Sequence, residues 1–259
     1  ACYKVSPSVF KELGAEVILI GNNPDGFNIN QGCGSTHPEL LQEEVVKHRA
    51  DYGVALDGDG DRVILVDCHG NILDGDDLLY IMAFANPNRV GAWAGVVGTK
   101  MSNFGLEDGL KKLGYKFVRA DVGDKYVSQK LSEKGWLLGG ETSGHIISKD
   151  LVSTGDGTIA ALKVISSLMI LEKTPSEVLA NYNKRPQINI AVSVKNKDVI
   201  NDSSIQSAIS DAQSDITVDR VLVRPSGTES KIRVMVEASD ENTAKKYAKD
   251  LSQLIESKL

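Results

Sequence analysis

Three carboxylates stand at alternate positions in Asp57-Gly58-Asp59-Gly60-Asp61-Arg62. The glycines between them let the backbone curl, so Asp57, Asp59 and Asp61 can converge on one hard cation, which prefers oxygen ligands. An EF-hand opens in a similar way but needs Gly at its sixth position and a bidentate acid at its twelfth; here those places hold Arg62 and Cys68. Few ligands beside an arginine fit Mg²⁺ that also takes an oxygen from a phosphate. The competing reading is an acidic turn with solvated charges, because Asp and Gly are ordinary turn residues.

Gly139-Gly140-Glu141-Thr142-Ser143-Gly144-His145 follows an apolar run and sets polar groups at a strand's carboxyl end, the edge at which parallel sheets bind ligands. Glu141 and Ser143 can bond sugar hydroxyls, and His145 has the side chain whose ordinary pKa suits proton transfer near neutrality. A Gly-rich turn with capping hydroxyls accounts for the same residues. Arg224-Pro225-Ser226-Gly227-Thr228-Glu229 joins two strands. Its guanidinium fork, its two hydroxyls and the backbone amides freed by glycine are the components of a phosphate cradle. Ser226 to Glu229 also fits a capping box, yet Lys231 to Val236 alternates as a strand, so capping is the weaker reading. Arg233 offers a second positive charge or is an exposed strand arginine. Lys125 stands at a helix start in Asp121-Val122-Gly123-Asp124-Lys125, where it can meet a phosphate or remain solvated. Asn22 to His37 is too long for a plain connector and reads as a lid or recognition segment. Walker-type and G-x-G-x-x-G loops are absent from the sequence, against a nucleotide enzyme.

The elements that must hold these loops read as alternating α/β in the first two sections. Helix is predicted at Pro7–Leu13 and Pro38–Arg49, with strands at Glu16–Ile20, Tyr52–Leu56 and Val63–Asp67 and a short return strand after the turn at His69-Gly70-Asn71. The next section predicts helices at Asp76–Phe84, Asn103–Leu113, Asp124–Lys134, Thr154–Leu171 and Ser176–Tyr182. Strands fall at Gly95–Thr99, Lys116–Ala120 and Trp136–Gly139, and Gly140–Leu151 reads as loop. Helices between short buried strands imply crossover connections and a mainly parallel sheet. After a linker at Asn183–Pro186 come strands at Gln187–Val194, Arg220–Arg224 and Lys231–Val236. With helices around Ser203–Ala212 and Glu241–Ser257, they make a small α+β module with an antiparallel sheet.

Of 259 residues, 41% are hydrophobic and 24 are Gly, which excludes disordered and fibrous classes. Lys and Arg number 29 against 35 Asp and Glu, a net charge of −6 without a basic block, so neither nucleic acid nor an anionic membrane is an expected partner. Compact anions remain possible. Cys2, Cys33 and Cys68 form no disulfide or zinc pattern, and the apolar stretches are too short to span a bilayer, which predicts a cytoplasmic protein. Ala1-Cys2-Tyr3-Lys4 opens without Met, as in a piece of something longer.

A magnesium loop, a sugar-hydroxyl loop and a phosphate cradle on successive sections point to a phosphosugar. In order and rough separation the three loops resemble signature loops of the α-D-phosphohexomutase superfamily, over essentially the whole chain. Pro24-Asp25-Gly26-Phe27-Asn28-Ile29-Asn30, Cys33-Gly34-Ser35-Thr36-His37-Pro38-Glu39, Glu141-Thr142-Ser143 and Thr154-Gly155-Asp156-Gly157 look like its bacterial phosphoglucosamine mutase branch. That resemblance implies interconversion of glucosamine 6-phosphate and glucosamine 1-phosphate through a phosphoserine and a 1,6-bisphosphate, on the route to UDP-N-acetylglucosamine and the cell wall. It implies Mg²⁺ on Asp57, Asp59, Asp61 and the phosphoserine. Arg62 and His145 become catalytic candidates, Glu141 and Ser143 sugar ligands, and Lys125, Arg224, Ser226, Gly227, Thr228 and Arg233 phosphate or substrate ligands. The implied fold is mixed α/β domains followed by a C-terminal α+β domain resembling the TATA-binding protein. Part of domain two falls at 1–70, domain three at 71–182 and the C-terminal domain at 183–259. A homodimer is expected only of an intact protein.

One departure stands out: the Ser-His-Asn-Pro-like loop that carries the family's serine is absent from the sequence. The chain is therefore expected to lack the phosphoserine domain and to be inactive alone. Two alternatives stay open, a phosphoglucomutase or phosphomannomutase of the same superfamily and a noncatalytic phosphosugar-binding module.

Overall fold

In the computed structural model, which describes residues 1–227 and 229–258, the chain forms two units. The first holds Ala1–Ser102 and Leu106–Asn183, the second Asn103–Gly105 and Lys184–Leu259.

In the first unit, Val63-Ile64-Leu65-Val66-Asp67 is buried from end to end and forms β2. It pairs antiparallel with β1 (Tyr52–Leu56) and with β3 (Ile72–Leu73). The meander places the six-residue acidic loop, 57–62, at one end of a hairpin whose register runs Leu56 opposite Val63. Before it lie α1 (Val5–Glu12) and α2 (Glu39–His48). Glu16–Ile20 is irregular rather than the predicted strand. A strand needs a partner for its backbone N–H and C=O groups; no described strand lies beside it, and Ile18 and Leu19 stay exposed.

The same unit carries a second sheet in the order β5-β4-β6-β7, made from β4 (Gly95–Thr99), β5 (Lys116–Ala120), β6 (Leu138–Gly140) and β7 (Ile146–Ser148). β4 is parallel to β5 and β6, as the crossover helices α4 (Phe104–Lys112) and α5 (Asp124–Lys134) require. Side chains alternate across this sheet. Val96, Leu138 and Ile146 enter the core shared with α3 (Gly75–Ala85), α6 (Gly157–Leu171) and α7 (Pro175–Leu179), while Val97 and Ile147 pack with Val127 and Leu131 of α5. β7 corrects the expected loop at Gly140–Leu151: it pairs antiparallel with β6 across the Glu141–Gly144 turn, and at three residues it is too short to show a periodic signal. α6 begins at Gly157 rather than Thr154 because the Asp156 carboxylate accepts the Ile159 N–H and caps the helix there.

In the second unit, β8 (Gln187–Ser193), β9 (Val218–Pro225) and β10 (Lys231–Ala238) form an antiparallel sheet with β10 central. α8 (Ser203–Ser214) and α9 (Glu241–Glu256) cover it. Ala244, Ala248, Leu251 and Ile255 of α9 recur at helical spacing and join Ile232, Val234 and Val236 of β10 in one core.

Candidate functional site

The acidic loop is held by its own first residue. Asp57 Oδ1 accepts the N–H groups of Gly60 and Arg62, each at 3.1 Å. Gly60 adopts φ 81°, a conformation that favours glycine and closes the curl. One carboxylate oxygen from each of Asp57, Asp59 and Asp61 then lies within 4.8 Å of the others, close enough for one metal ion. Arg62 Nε stands 3.9 Å from both Asp57 and Asp61, so a single guanidinium offsets only part of the loop's negative charge. Asp61 Oδ1 is buried without a hydrogen bond, while Oδ2 is 3.0 Å from His145 Nδ1. A buried carboxylate oxygen left in that state is costly, and a hard cation is what its chemistry suits.

The Glu141–His145 turn is brought to this loop by backbone pairing. Val63 N donates to Gly144 O at 3.1 Å, and Arg62 bridges His145 in antiparallel fashion. Gly144 has φ 93°, and a Cβ there would overlap the Val63 carbonyl, so only glycine permits the approach. Three further glycines do similar work: Gly155 and Gly157 of the Thr154–Gly157 motif, and Gly75, which the sequence reading did not single out. Gly75 N donates to Thr142 O at 3.0 Å and Gly157 N to Gly60 O at 2.9 Å, while Gly155 lies so close to the His145 ring that a Cβ would overlap it. Thr142 Oγ1 donates to Asp76 Oδ2 at 3.0 Å, tying the turn to the start of α3.

Glu141 is buried, and its Oε1 accepts the Gly123 N–H at 2.9 Å, which joins the turn to the Asp121–Lys125 segment. Ser143 is exposed on the same turn. Lys125 lies in the first turn of α5 with its ammonium 4.7 Å from the Tyr126 ring, and Lys100 pairs with Asp121. His145 is 2% exposed. The 22–37 segment leans on the acidic loop: Ser35 N donates to Leu56 O, Ile29 packs on Gly58, and Phe27 projects with 94% exposure.

In the second unit, Arg224 and Arg233 face each other across β9 and β10. Like charges directly opposite are unfavourable without an anion between or beside them. Glu229 supplies one, pairing with Lys231 through Oε1 and with Arg233 through Oε2 at 2.8 Å. The Lys231 ammonium, with Arg233 behind it, holds the Glu229 carboxyl below the usual carboxylate range. Ser226 Oγ accepts the Glu229 N–H, and Lys197, which sequence reasoning did not reach, donates its ammonium to the Ser226 carbonyl. A Cβ on Gly227 would meet no described atom beyond its chain neighbours within 4 Å. Thr228 lies outside the described residues.

Residues 74–185 match the family described as phosphoglucomutase/phosphomannomutase, alpha/beta/alpha domain III, and residues 188–254 match its C-terminal domain. The chain is 49% identical over 261 residues to the phosphoglucosamine mutase of Cellvibrio japonicus, covering 100% of this chain and 59% of that protein. It is 46% identical over 258 residues to the phosphoglucosamine mutase of Alcanivorax borkumensis, covering 99% and 58%. It thus spans less than two thirds of these relatives. Among solved structures it resembles N-acetylphosphoglucosamine mutase of Aspergillus fumigatus in complex with GlcNAc-6P and magnesium. That similarity has a TM-score of 0.76 at 22% identity, over 96% of this chain and 63% of the other, and it is a likeness of fold.

Proposed function

Because the chain belongs to the phosphoglucomutase/phosphomannomutase family, we propose that it supplies the metal, sugar and phosphate loops of a phosphoglucosamine mutase. Such an enzyme interconverts glucosamine 6-phosphate and glucosamine 1-phosphate. The observation that carries this reading is the backbone junction of Arg62–Val63 with Gly144–His145, which sets a three-carboxylate loop beside a turn bearing Glu141 and Ser143. The preference for the amino sugar is supported by relatives at 46% and 49% identity that bear that name.

Asp57, Asp59 and Asp61 are the residues to hold Mg²⁺, and the bound ion supplies positive charge to the oxygens of a phosphoryl group in transfer. Arg62 is nearly half exposed and presents guanidinium donors to the same oxygens. Glu141 and Ser143 hold sugar hydroxyls. Arg224, Ser226, Gly227 and Thr228 hold the phosphate that is not reacting, with Arg233 adding a second positive charge for which an incoming phosphate competes with Glu229, and Lys125 is a substrate ligand. Binding that remote phosphate fixes the reacting oxygen, a positioning effect that can supply much of a rate enhancement. The phosphoryl donor, a phosphoserine that would give and take back its phosphate through a 1,6-bisphosphate, has no Ser-His-Asn-Pro loop in this sequence. In this reading residues 1–70 belong to a second domain, 71–182 to a third and 183–259 to a fourth.

Calorimetric titration of the chain, with Mg²⁺ present, against glucosamine, glucose and mannose 6-phosphates tests the proposal. Tightest binding of the amino sugar is expected. Preference for glucose or mannose phosphate would assign a different sugar, and binding of none would remove the support these loops give to the reading.

A further inference from the structure

We propose that His145 is a positioning residue for the cation site: its Nδ1–H holds Asp61 Oδ2 and leaves Oδ1 as the oxygen offered to the ion. The inference rests on the reading that the acidic loop binds a divalent cation.

An ionised carboxylate only accepts hydrogen bonds, so at 3.0 Å from Asp61 Oδ2 the Nδ1 atom carries the hydrogen. The ring has little freedom to leave. It is 2% exposed, Gly155 lies against its Cε1 and Nε2 edge with no room for a methyl group, and the Arg62–His145 bridge fixes the backbone beneath it. The result on Asp61 is asymmetric: Oδ2 is engaged, whereas Oδ1 is buried without a hydrogen bond, its nearest recorded cation being Arg62 Nε at 3.9 Å. A carboxylate free to rotate would exchange its two oxygens; one pinned through Oδ2 presents the other in a single orientation. Hydrogen bonds to metal-ligating carboxylates tune affinity in this way, and their loss typically costs about 10- to 100-fold. The sequence reading made His145 a candidate for proton transfer with substrate. The Nδ1 contact with Asp61 adds a positioning task at an atom other than Nε2.

The test reads metal affinity rather than turnover, using Mn²⁺, which suits the same oxygen ligands as Mg²⁺, followed by electron paramagnetic resonance on the 259-residue chain. His145→Asn places an amide N–H on Cγ, where Nδ1 is attached, whereas His145→Gln places it one bond farther, near Nε2, and His145→Ala has none. Expected are Mn²⁺ affinities lowered about tenfold or more by Ala and by Gln and largely retained by Asn. Gly155→Ala, which keeps the imidazole but crowds it, is expected to lower affinity too, and circular dichroism checks that each variant folds. Equal binding by all the residue-145 variants and the unsubstituted chain would overturn the inference while leaving the cation site standing. Loss in Asn equal to that in Ala would overturn the Nδ1 assignment. Failure of the unsubstituted chain to bind Mn²⁺ would remove the cation reading and the inference together.

Discussion

Asp57 and Asp59 are two residues apart and of one chemical type, yet their surroundings assign them different consequences. Asp57 is half-buried and its Oδ1 receives two backbone N–H groups that close the loop. Asp59 is exposed. Asp57→Ala leaves those N–H groups without their acceptor and is expected to destabilise the first unit by about 1–3 kcal/mol in urea titrations. Asp59→Asn is expected to leave stability within about 0.5 kcal/mol while weakening Mn²⁺ binding, read by the same resonance experiment. Unchanged metal affinity in Asp59→Asn would remove that residue from the ligand set. The pattern of alternating acids was legible in the sequence. The division of labour within it was not, because it depends on which carboxylate the hairpin turns inward.

At the scale of elements, the loops depend on short segments that carry weak signals. β7 and the Glu141–Gly144 turn form a hairpin with β6, and without that hairpin Glu141 would not meet Gly123 nor His145 meet Asp61. Two carboxylates held by short-range hydrogen bonds contribute to the acid response of the second unit. Asp202 caps α8, and the Ser204 hydroxyl, then its N–H, lower the carboxyl from 3.8 to about 2. Asp215 is lowered from 3.8 to about 2 by the Thr217 hydroxyl, by Tyr247 Oη at 2.6 Å and by the Thr217 N–H. Because the folded values lie below the unfolded ones, this stabilisation is fully present above the ordinary value of 3.8 and is lost as pH falls toward about 2. Urea midpoints of the chain measured at about pH 5, 3 and 2 are expected to fall across that window, and Asp215→Asn is expected to flatten part of the slope. A variant with the same slope as the unsubstituted chain would show that Asp215 does not carry it.

For the whole molecule, the two units each have their own core, and among the described residues no helix is long and apolar enough to cross a membrane. The chain spans 58% and 59% of the two curated relatives described. The 259 residues contain no Ser-His-Asn-Pro loop, so the chain alone is expected to convert no glucosamine 6-phosphate. Phosphorus NMR of a preparation free of any longer form measures this, and appearance of glucosamine 1-phosphate would mean that some other group in these residues accepts and returns the phosphate.

The sequence by itself determined most helices and strands, because amphipathic periodicity, caps and apolar runs are local properties. It also marked three loops as candidate sites, because Asp-Gly alternation, Glu-Thr-Ser and Arg-Pro-Ser-Gly are short patterns with direct chemical meaning. Only the tertiary structure decided that Glu16–Ile20 is not a strand, since pairing depends on a neighbour that residue type does not disclose. Only it decided that His145 faces Asp61 across 84 positions of sequence, and that Gly144, Gly155 and Gly157 matter for what lies against them. Those contacts arise where distant backbones approach too closely for any side chain, and such proximity is a property of the fold rather than of the local sequence.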